Sequence, residues 1–271
     1  MANWIPQLVR RTAERLSRNI VFKTRLPERF GSRPIYLSPG NHLAVLKPGE
    51  SRFEGYLLGY ADRFVDEGSV VWDIGANMGM FTYPAAHKAG KKGFVLAIEP
   101  DPFNQLILQR TRVHPANADI NVVILPIAVS LEVGTATLQI PNRRRSANSL
   151  VGGVQETQMG GVRETVTAVT VTLDWILERF PAPSFIKCDA EGAEAWILEG
   201  ATKLLKEVRP LINIEMPRQN AEYCKSVFLQ NDYVTFSAYD PVTPGKELTA
   251  LDEIWEVLAI PREKVTAFVG R

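Results

Sequence analysis

Two stretches of this chain, and one acid between them, hold the residue types that do chemistry. The first is Asp73-Ile74-Gly75-Ala76-Asn77-Met78-Gly79, in which two glycines stand four residues apart behind an acid. Glycines in such a turn let a ligand approach the backbone, and the helix that follows offers its free N–H groups. The pattern is DxGxxxG, not the GxGxxG of dinucleotide sites, and Asp73 stands where the first glycine would be wanted. A carboxylate there repels a phosphate and suits a cationic or hydroxylated ligand. S-adenosyl-L-methionine, with a sulfonium, an amino group, a ribose and no phosphate, fits that demand better than NAD. The acid between the stretches is Glu99, 20 residues beyond Gly79 and followed by Pro100. At a strand tip it can accept hydrogen bonds from both ribose hydroxyls. Taken singly, Asp73 reads as a helix cap and Glu99 as a solvated loop acid. Together, at this spacing, they read as a nucleoside-cofactor site.

The second stretch is Ser184 to Glu194, SFIKCDAEGAE. Side chains alternate along a strand, so Lys187, Asp189 and Glu191 share a side, and Glu194 follows at the helix start. Ionisable groups gathered at the end of a central strand are costly unless they pair or bind something. The plain alternative is a structural ion pair of Lys187 with Asp189 or Glu191. The next strand, in Pro210 to Pro217, also ends in an acid, Glu215.

The elements that must position these groups follow from periodicity. Val70-Val71-Trp72 is a short buried strand, and a helix runs from Met80 to Gly90. Further strands are expected at 94–98, 121–129, 134–140 and 169–175, from Phe185 on, and at 210–217, 233–239 and 254–260. Helices are expected at 101–114, 193–200 and 219–231. Alternating strands and helices imply a mostly parallel sheet with helices on both faces. Ala128, just past the third strand, is a candidate backbone contact for the adenine. Residues 1–67 form an N-terminal part: an amphipathic basic helix over 1–24, two short strands around the Ser38–Asn41 turn, and a helix over 51–67 placed to cap the pocket. Residues 68–271 form the cofactor-binding domain. Within it, residues 141–166 are rich in glycine and polar groups and read as a mobile loop. Its run Arg143–Arg145 suits an acidic substrate or partner, or is simply a solvated charge run.

Composition narrows the classes. The chain has 271 residues, 45% hydrophobic, with 31 Lys+Arg against 30 Asp+Glu and a net charge of +1. That near-neutral balance does not advertise nucleic acid as a partner. Two cysteines, Cys188 and Cys224, are too few for a disulfide framework. No stretch is long and apolar enough to span a bilayer, so a cytoplasmic location is expected. Peripheral membrane contact through residues 1–24 is the alternative to a helix packed on the domain.

DIGANMGMFT, AIEPDPFNQL, FIKCDAEGAEAWILEGATKLLKEVRP and LINIE, in this order and spacing, resemble the FkbM family of S-adenosylmethionine-dependent methyltransferases. The resemblance covers roughly residues 55–262. It implies the Rossmann-like class I methyltransferase fold, an α/β architecture with a seven-stranded mostly parallel sheet whose last strand is antiparallel. It implies O-methylation of a hydroxyl on a saccharide, glycolipid or polyketide-type acceptor, a small molecule or glycan. Asp73, Gly75, Ala76, Asn77 and Gly79 map onto the donor-binding motif, and Glu99 onto the ribose acid. Lys187, Asp189, Glu191 and Glu215 map onto the strand-end cluster. Asp189 is expected to be the base or acceptor-orienting carboxylate, with Glu191 and Glu215 next and Lys187 tuning them. The histidines His42, His87 and His114 lie outside the strand ends and are given no part. A divalent metal on Asp189, Glu191 and Glu215 suits their hard oxygens but is not favoured, and no metal ligand is assigned. The competing readings are an NAD-dependent oxidoreductase, a non-catalytic nucleoside-cofactor-binding module and an RNA methyltransferase.

Overall fold

A computed structural model describes residue 12 and residues 14–153, 161–248 and 255–271. The N-terminal part contributes an antiparallel ribbon, β1 (Phe22–Arg25) and β2 (Pro34–Leu37), and one helix, α1 (Gly55–Phe64). The body then alternates: β3 (Val70–Ile74), α2 (Thr82–Ala89), β4 (Phe94–Ile98), α3 (Pro102–Arg112), β5 (Val122–Leu125), β6 (Ala128–Val129), β7 (Gly134–Pro141), β8 (Ser149–Leu150) and β9 (Val162–Val171). It continues with α4 (Leu173–Leu177), β10 (Phe185–Cys188), α5 (Glu194–Glu199), a π-helical turn at Leu204–Val208, β11 (Leu211–Glu215), α6 (Ala221–Gln230), β12 (Tyr233–Ser237) and β13 (Glu256–Pro261).

Seven strands form the central sheet in the order β12-β13-β11-β10-β3-β4-β5. All neighbours from β11 to β5 are parallel, and β13 runs antiparallel between β11 and β12. This is the expected sheet with its antiparallel last strand. Its strands are largely apolar because both faces are covered, with Asp73, Lys187, Asn213 and Glu256 among the buried polar exceptions. Alternate residues feed two cores. Val71, Val95, Ala97, Phe185 and Leu258 pack with Tyr60 and Phe64 of α1, Tyr83 of α2 and Leu108 of α3. Trp72, Leu96, Ile186, Ile212 and Val257 pack with Ile176 of α4, Ile197 of α5 and Phe228 of α6. Helix α3 begins where it does because the Asp101 side chain accepts from the Phe103 N–H at 2.9 Å and Pro102 opens the first turn.

Several sequence expectations change. The expected strand at 121–129 breaks at Pro126, which has no N–H to donate to a ladder. Its second half, β6, leaves the central sheet and joins a separate four-stranded sheet, β6-β9-β7-β8. The stretch expected as a mobile loop carries regular structure, since β8 and the first half of β9 lie inside 141–166. Residues 154–160 of it lie outside the described residues. Strand β2 pairs with β1, within the segment expected to be an amphipathic helix, and not with residues after the Ser38–Asn41 turn, where Leu43–Leu46 form a 3-10 turn. Most of that N-terminal helix expectation, residues 1–11 and 13, lies outside the described residues. Among the described residues, no helix is long and apolar enough to cross a membrane. Cys188 and Cys224 are buried free thiols.

Candidate active site

The strand-end residues meet in one cleft at the carboxyl ends of β3, β4, β10 and β11, where ligands of such sheets bind. The cleft has two compartments. A narrow slot of about 60 Å³ runs over the tips of β3 and β4; Ile98, Glu99, Pro100, Ala128 and Val129 are among its walls. A wider chamber of about 740 Å³ opens beside it, lined by Glu54, Tyr56, Lys187, Asp189, Glu191 and Glu215, with other residues. Gly75, Asn77, Ser146, Asp189 and Glu191 border both, so the compartments adjoin.

Glu99 is buried at the slot and held by the backbone. Its Oε2 accepts from the Asn77 N–H at 2.7 Å and its Oε1 from the Asp101 N–H at 2.9 Å. Its Oε1 also accepts from the Asn104 amide at 3.5 Å; of a carboxylate's about four acceptor positions, one remains, on Oε2, for a ribose hydroxyl. Burial pushes the Glu99 carboxyl up to about 7, with Asp101 adding to the rise and the donated hydrogen bonds opposing it.

The glycine turn is shaped by close approach. Gly75 sits at φ +72°, and a Cβ there would stand 1.8 Å from the Asp189 carbonyl oxygen. Only glycine lets β3 and the loop after β10 meet. Ala76 and Asn77 line the chamber beside it. Gly79 differs from expectation: it lines neither compartment, and a Cβ there would run into the Tyr83 ring at 2.6 Å. Its part is to let helix α2 start against that ring.

Asp73 also departs from the expectation that it contacts the cofactor. It is fully buried beneath the cleft floor and lines neither compartment. Its Oδ2 accepts from the Thr82 hydroxyl at 2.5 Å, and its Oδ1 lies 3.6 Å from Lys187 Nζ. The reason is register. Asp73 and Lys187 are paired neighbours on parallel strands, and Asn213 of β11 is the next partner of Lys187. A polar row thus crosses the sheet under the chamber. Lys187 Nζ donates to the Gly75 carbonyl at 3.1 Å and sits 3.3 Å from Asp189 Oδ2. Burial alone would lower the Lys187 ammonium, but Asp189, Asp73 and Glu256 outweigh it and hold it above its ordinary value. Lys187 is therefore cationic, while burial pushes the Asp73 carboxyl above its ordinary value, with Lys187 and the Thr82 hydroxyl opposing the rise.

The four expected catalytic residues, Lys187, Asp189, Glu191 and Glu215, all line the chamber. Burial and the nearby Asp189 charge push both the Glu191 and Glu215 carboxyls up. Glu215 also accepts from the Trp255 indole N–H. Glu191 lies at φ +49°, and Glu194 braces its loop from inside, accepting from the Ala190 and Gly192 N–H groups at 3.2 Å each. Among the described residues, no three of His, Cys, Asp and Glu are arranged as a metal ligand set.

The arginine run is divided. Arg143 pairs with Glu14 at 2.7 Å, and Arg145 makes a two-pronged pair with the buried Asp101 at 2.5 and 2.7 Å. Only Arg144 faces the chamber. Its Nε is buried without a hydrogen-bond partner among the described residues.

Sequence reasoning missed one group. His42 lines the chamber, with its Nδ1 3.2 Å from Glu54 Oε1, although the alignment falls short of a hydrogen bond. The Tyr56 hydroxyl donates to Glu54 Oε2 at 2.7 Å. Glu54 and Tyr56 fall at the start of the helix expected over 51–67 to cap the pocket, but no periodicity marks His42, which segments far apart in the chain bring to the cleft.

The methyltransferase FkbM domain family matches residues 73–257. Hexuronic acid methyltransferase AglP of Haloferax volcanii is 27% identical over 151 residues, which is 54% of this chain and 56% of that protein. The chain thus aligns with little more than half of that relative. Among solved structures, methyltransferase FkbM of Methylobacillus flagellatus KT is 15% identical, covering 86% of this chain and 58% of that one at a TM-score of 0.42. Precorrin-6y C5,15-methyltransferase of Geobacter metallireducens GS-15 is 13% identical, covering 76% and 87% at a TM-score of 0.43. With the family matched over most of the chain, from the acid of the glycine turn through the antiparallel strand, this protein belongs to the FkbM methyltransferases.

Proposed function

We propose that the chain methylates a hydroxyl of a saccharide acceptor, with S-adenosyl-L-methionine in the slot and the sugar in the chamber. The observation that carries this reading is the pairing of the two compartments. An apolar slot with a ribose-ready carboxylate opens directly onto a large, polar, acid-rich chamber. The slot suits an adenosine: Ile98, Ala128 and Val129 supply apolar walls and Glu99 the acceptor for a ribose hydroxyl. When bound, the donor supplies a methyl carbon already activated by its sulfonium. The chain must then hold the acceptor oxygen in line, which is worth up to roughly 7–11 kcal/mol in the best oriented systems.

In this reading the Lys187–Asp189 pair orients the acceptor hydroxyl at the compartment border. Arg144 stands in the same chamber, and its Nε has no hydrogen-bond partner among the described residues. A guanidinium fork suits a sugar carboxylate. The printed name of the Haloferax volcanii relative, a hexuronic acid methyltransferase, points the same way.

The test is a panel of acceptors incubated with the methyl donor: uronic-acid glycosides, neutral glycosides and polyketide alcohols, read by mass spectrometry. Uronic-acid glycosides should gain a methyl group on a hydroxyl. Arg144→Ala should raise KM for them about tenfold or more and leave neutral glycosides little changed. If no hydroxyl in the panel is methylated while the donor binds, the hydroxyl assignment is wrong.

A further inference from the structure

The expected base, Asp189, is committed to Lys187 at 3.3 Å. Held so, it is placed to orient the acceptor hydroxyl. Glu191 and Glu215 are held toward their protonated forms by burial and by the Asp189 charge. A protonated carboxyl accepts no proton. The chamber wall opposite the strand-end acids presents a different group.

We propose that His42 is the general base of the transfer and that Glu54 orients it. This rests on the hydroxyl-transfer reading above and adds to it the residue that takes the proton. His42 Nδ1 faces Glu54 at 3.2 Å, which leaves Nε2 as the ring nitrogen free to meet an acceptor in the chamber. A carboxylate behind one ring nitrogen, with the other facing the reacting hydroxyl, is the arrangement by which serine hydrolases orient their imidazole. Despite its burial, the Glu54 carboxyl is kept below the usual range by His42 and by the Tyr56 hydroxyl, so it is ionised behind the ring.

The loop that carries His42 is fixed to the donor-binding turn itself. Asn41 donates to Asn77 Oδ1 and to Asn104 Oδ1, both at 2.6 Å. The Ser38 N–H meets Met78 Sδ at 3.1 Å. From the other side, the Ser146 hydroxyl donates to the Asn41 carbonyl at 3.2 Å and the Arg145 N–H to the Gly40 carbonyl at 3.1 Å. His42 is thus positioned by the same contacts that hold Asn77, one of the residues shared by slot and chamber. Both His42 and Glu54 precede residues 73–257, the stretch matched by the family, so this base comes from the chain's own N-terminal part.

The atoms balance as follows. The acceptor O–H proton moves to His42 Nε2. The freed electron pair forms the new O–CH3 bond as the donor's C–S bond breaks, leaving a neutral thioether and an imidazolium. The imidazolium then gives its proton to water.

The experiment compares wild type, His42→Ala, Glu54→Gln and Asp189→Asn on an acceptor that the panel shows to be methylated. Donor affinity is measured by calorimetry and folding by thermal melting. His42→Ala should lose at least about a hundredfold in kcat, as removal of a general base does. Its acceptor KM and donor affinity should stay within about threefold. Added imidazole, for which the chamber has room, should restore kcat at least about tenfold. Glu54→Gln should lose kcat and gain little from imidazole, since its ring is still present. A His42→Ala enzyme within threefold of wild-type kcat overturns the proposal. So does a loss that imidazole does not relieve, which would give His42 a structural part only. If wild type methylates no hydroxyl at all, the hydroxyl-transfer reading fails and this proposal falls with it. That result differs from a wild type that works and a His42→Ala variant that works equally.

Discussion

In the proposed reading, Glu99 is the residue whose protonation most directly controls donor binding. Burial raises its carboxyl to about 7, and a ribose hydroxyl needs the ionised form as acceptor. Donor affinity should therefore rise with pH through 7 and level off above it. Between pH 6 and pH 8 the ionised fraction changes about tenfold, so the dissociation constant should fall about tenfold, a difference of ~1.4 kcal/mol. Calorimetry at the two pH values measures this, and in Glu99→Gln the dependence should vanish along with much of the affinity. At this scale the sequence was partly legible. An acid at a strand tip announces itself, and Glu99, Lys187, Asp189, Glu191 and Glu215 lie where strand ends placed them. Asp73 does not, because position along a strand says nothing about which neighbour a side chain meets across it. Its partner Lys187 lies 114 residues away and is brought alongside only by sheet register.

Among the elements, the segment from Asn142 to Leu150 acts as a strap over the slot. Ser146, Asn148 and Leu150 help wall the slot, and the strap is anchored at Asp101. That fully buried carboxylate accepts from Arg145 and from Asn148 at 2.6 Å, while also capping helix α3. Arg145→Ala would leave Asp101 buried with its charge uncompensated, which typically costs about 3–5 kcal/mol. The expected outcome is a lower denaturation midpoint, weaker donor binding and faster amide exchange over 144–150. Exchange unchanged in that strap would mean that Arg145 does not hold it. The sequence hid this element. Its arginines and glycines carry no periodicity, and β9 begins on exposed and half-buried residues, so β7 and only the end of β9 are expected as strands. The break at Pro126 was readable in principle, since a proline inside a central strand forfeits a ladder bond.

For the whole molecule, the strand-end acids make stability depend on pH in an unusual direction. Burial raises the Glu99, Glu194 and Glu256 carboxyls to about 7 and the Glu191 carboxyl to about 8. A carboxyl raised on folding binds protons more tightly in the folded state. Its contribution is complete below the unfolded value near 4.5 and is lost as pH rises through 7 to 8. The lowered carboxyls Asp119 and Glu263, both at about 2, contribute fully above the unfolded range and lose that contribution only as pH falls toward 2, outside this interval. The unliganded protein should thus melt at a lower temperature at pH 8 than at pH 6; a melting temperature that rises over that interval would show the cluster to be ionised and compensated. The architecture itself was the most legible level. Two-sided apolar strands alternating with helices dictate a covered parallel sheet, and seven strands with helices on both faces are what the chain builds. The second sheet was not legible, because its strands pair across segments that no local pattern joins.

The central claim is that the cleft over β3 and β4 binds S-adenosyl-L-methionine through Glu99. Calorimetric titration of the donor and of its demethylated product into wild type and Glu99→Ala tests it most directly. Micromolar binding to wild type, weakened at least about tenfold by Glu99→Ala, is the predicted result. Absence of binding to wild type, or binding indifferent to Glu99→Ala, would contradict it.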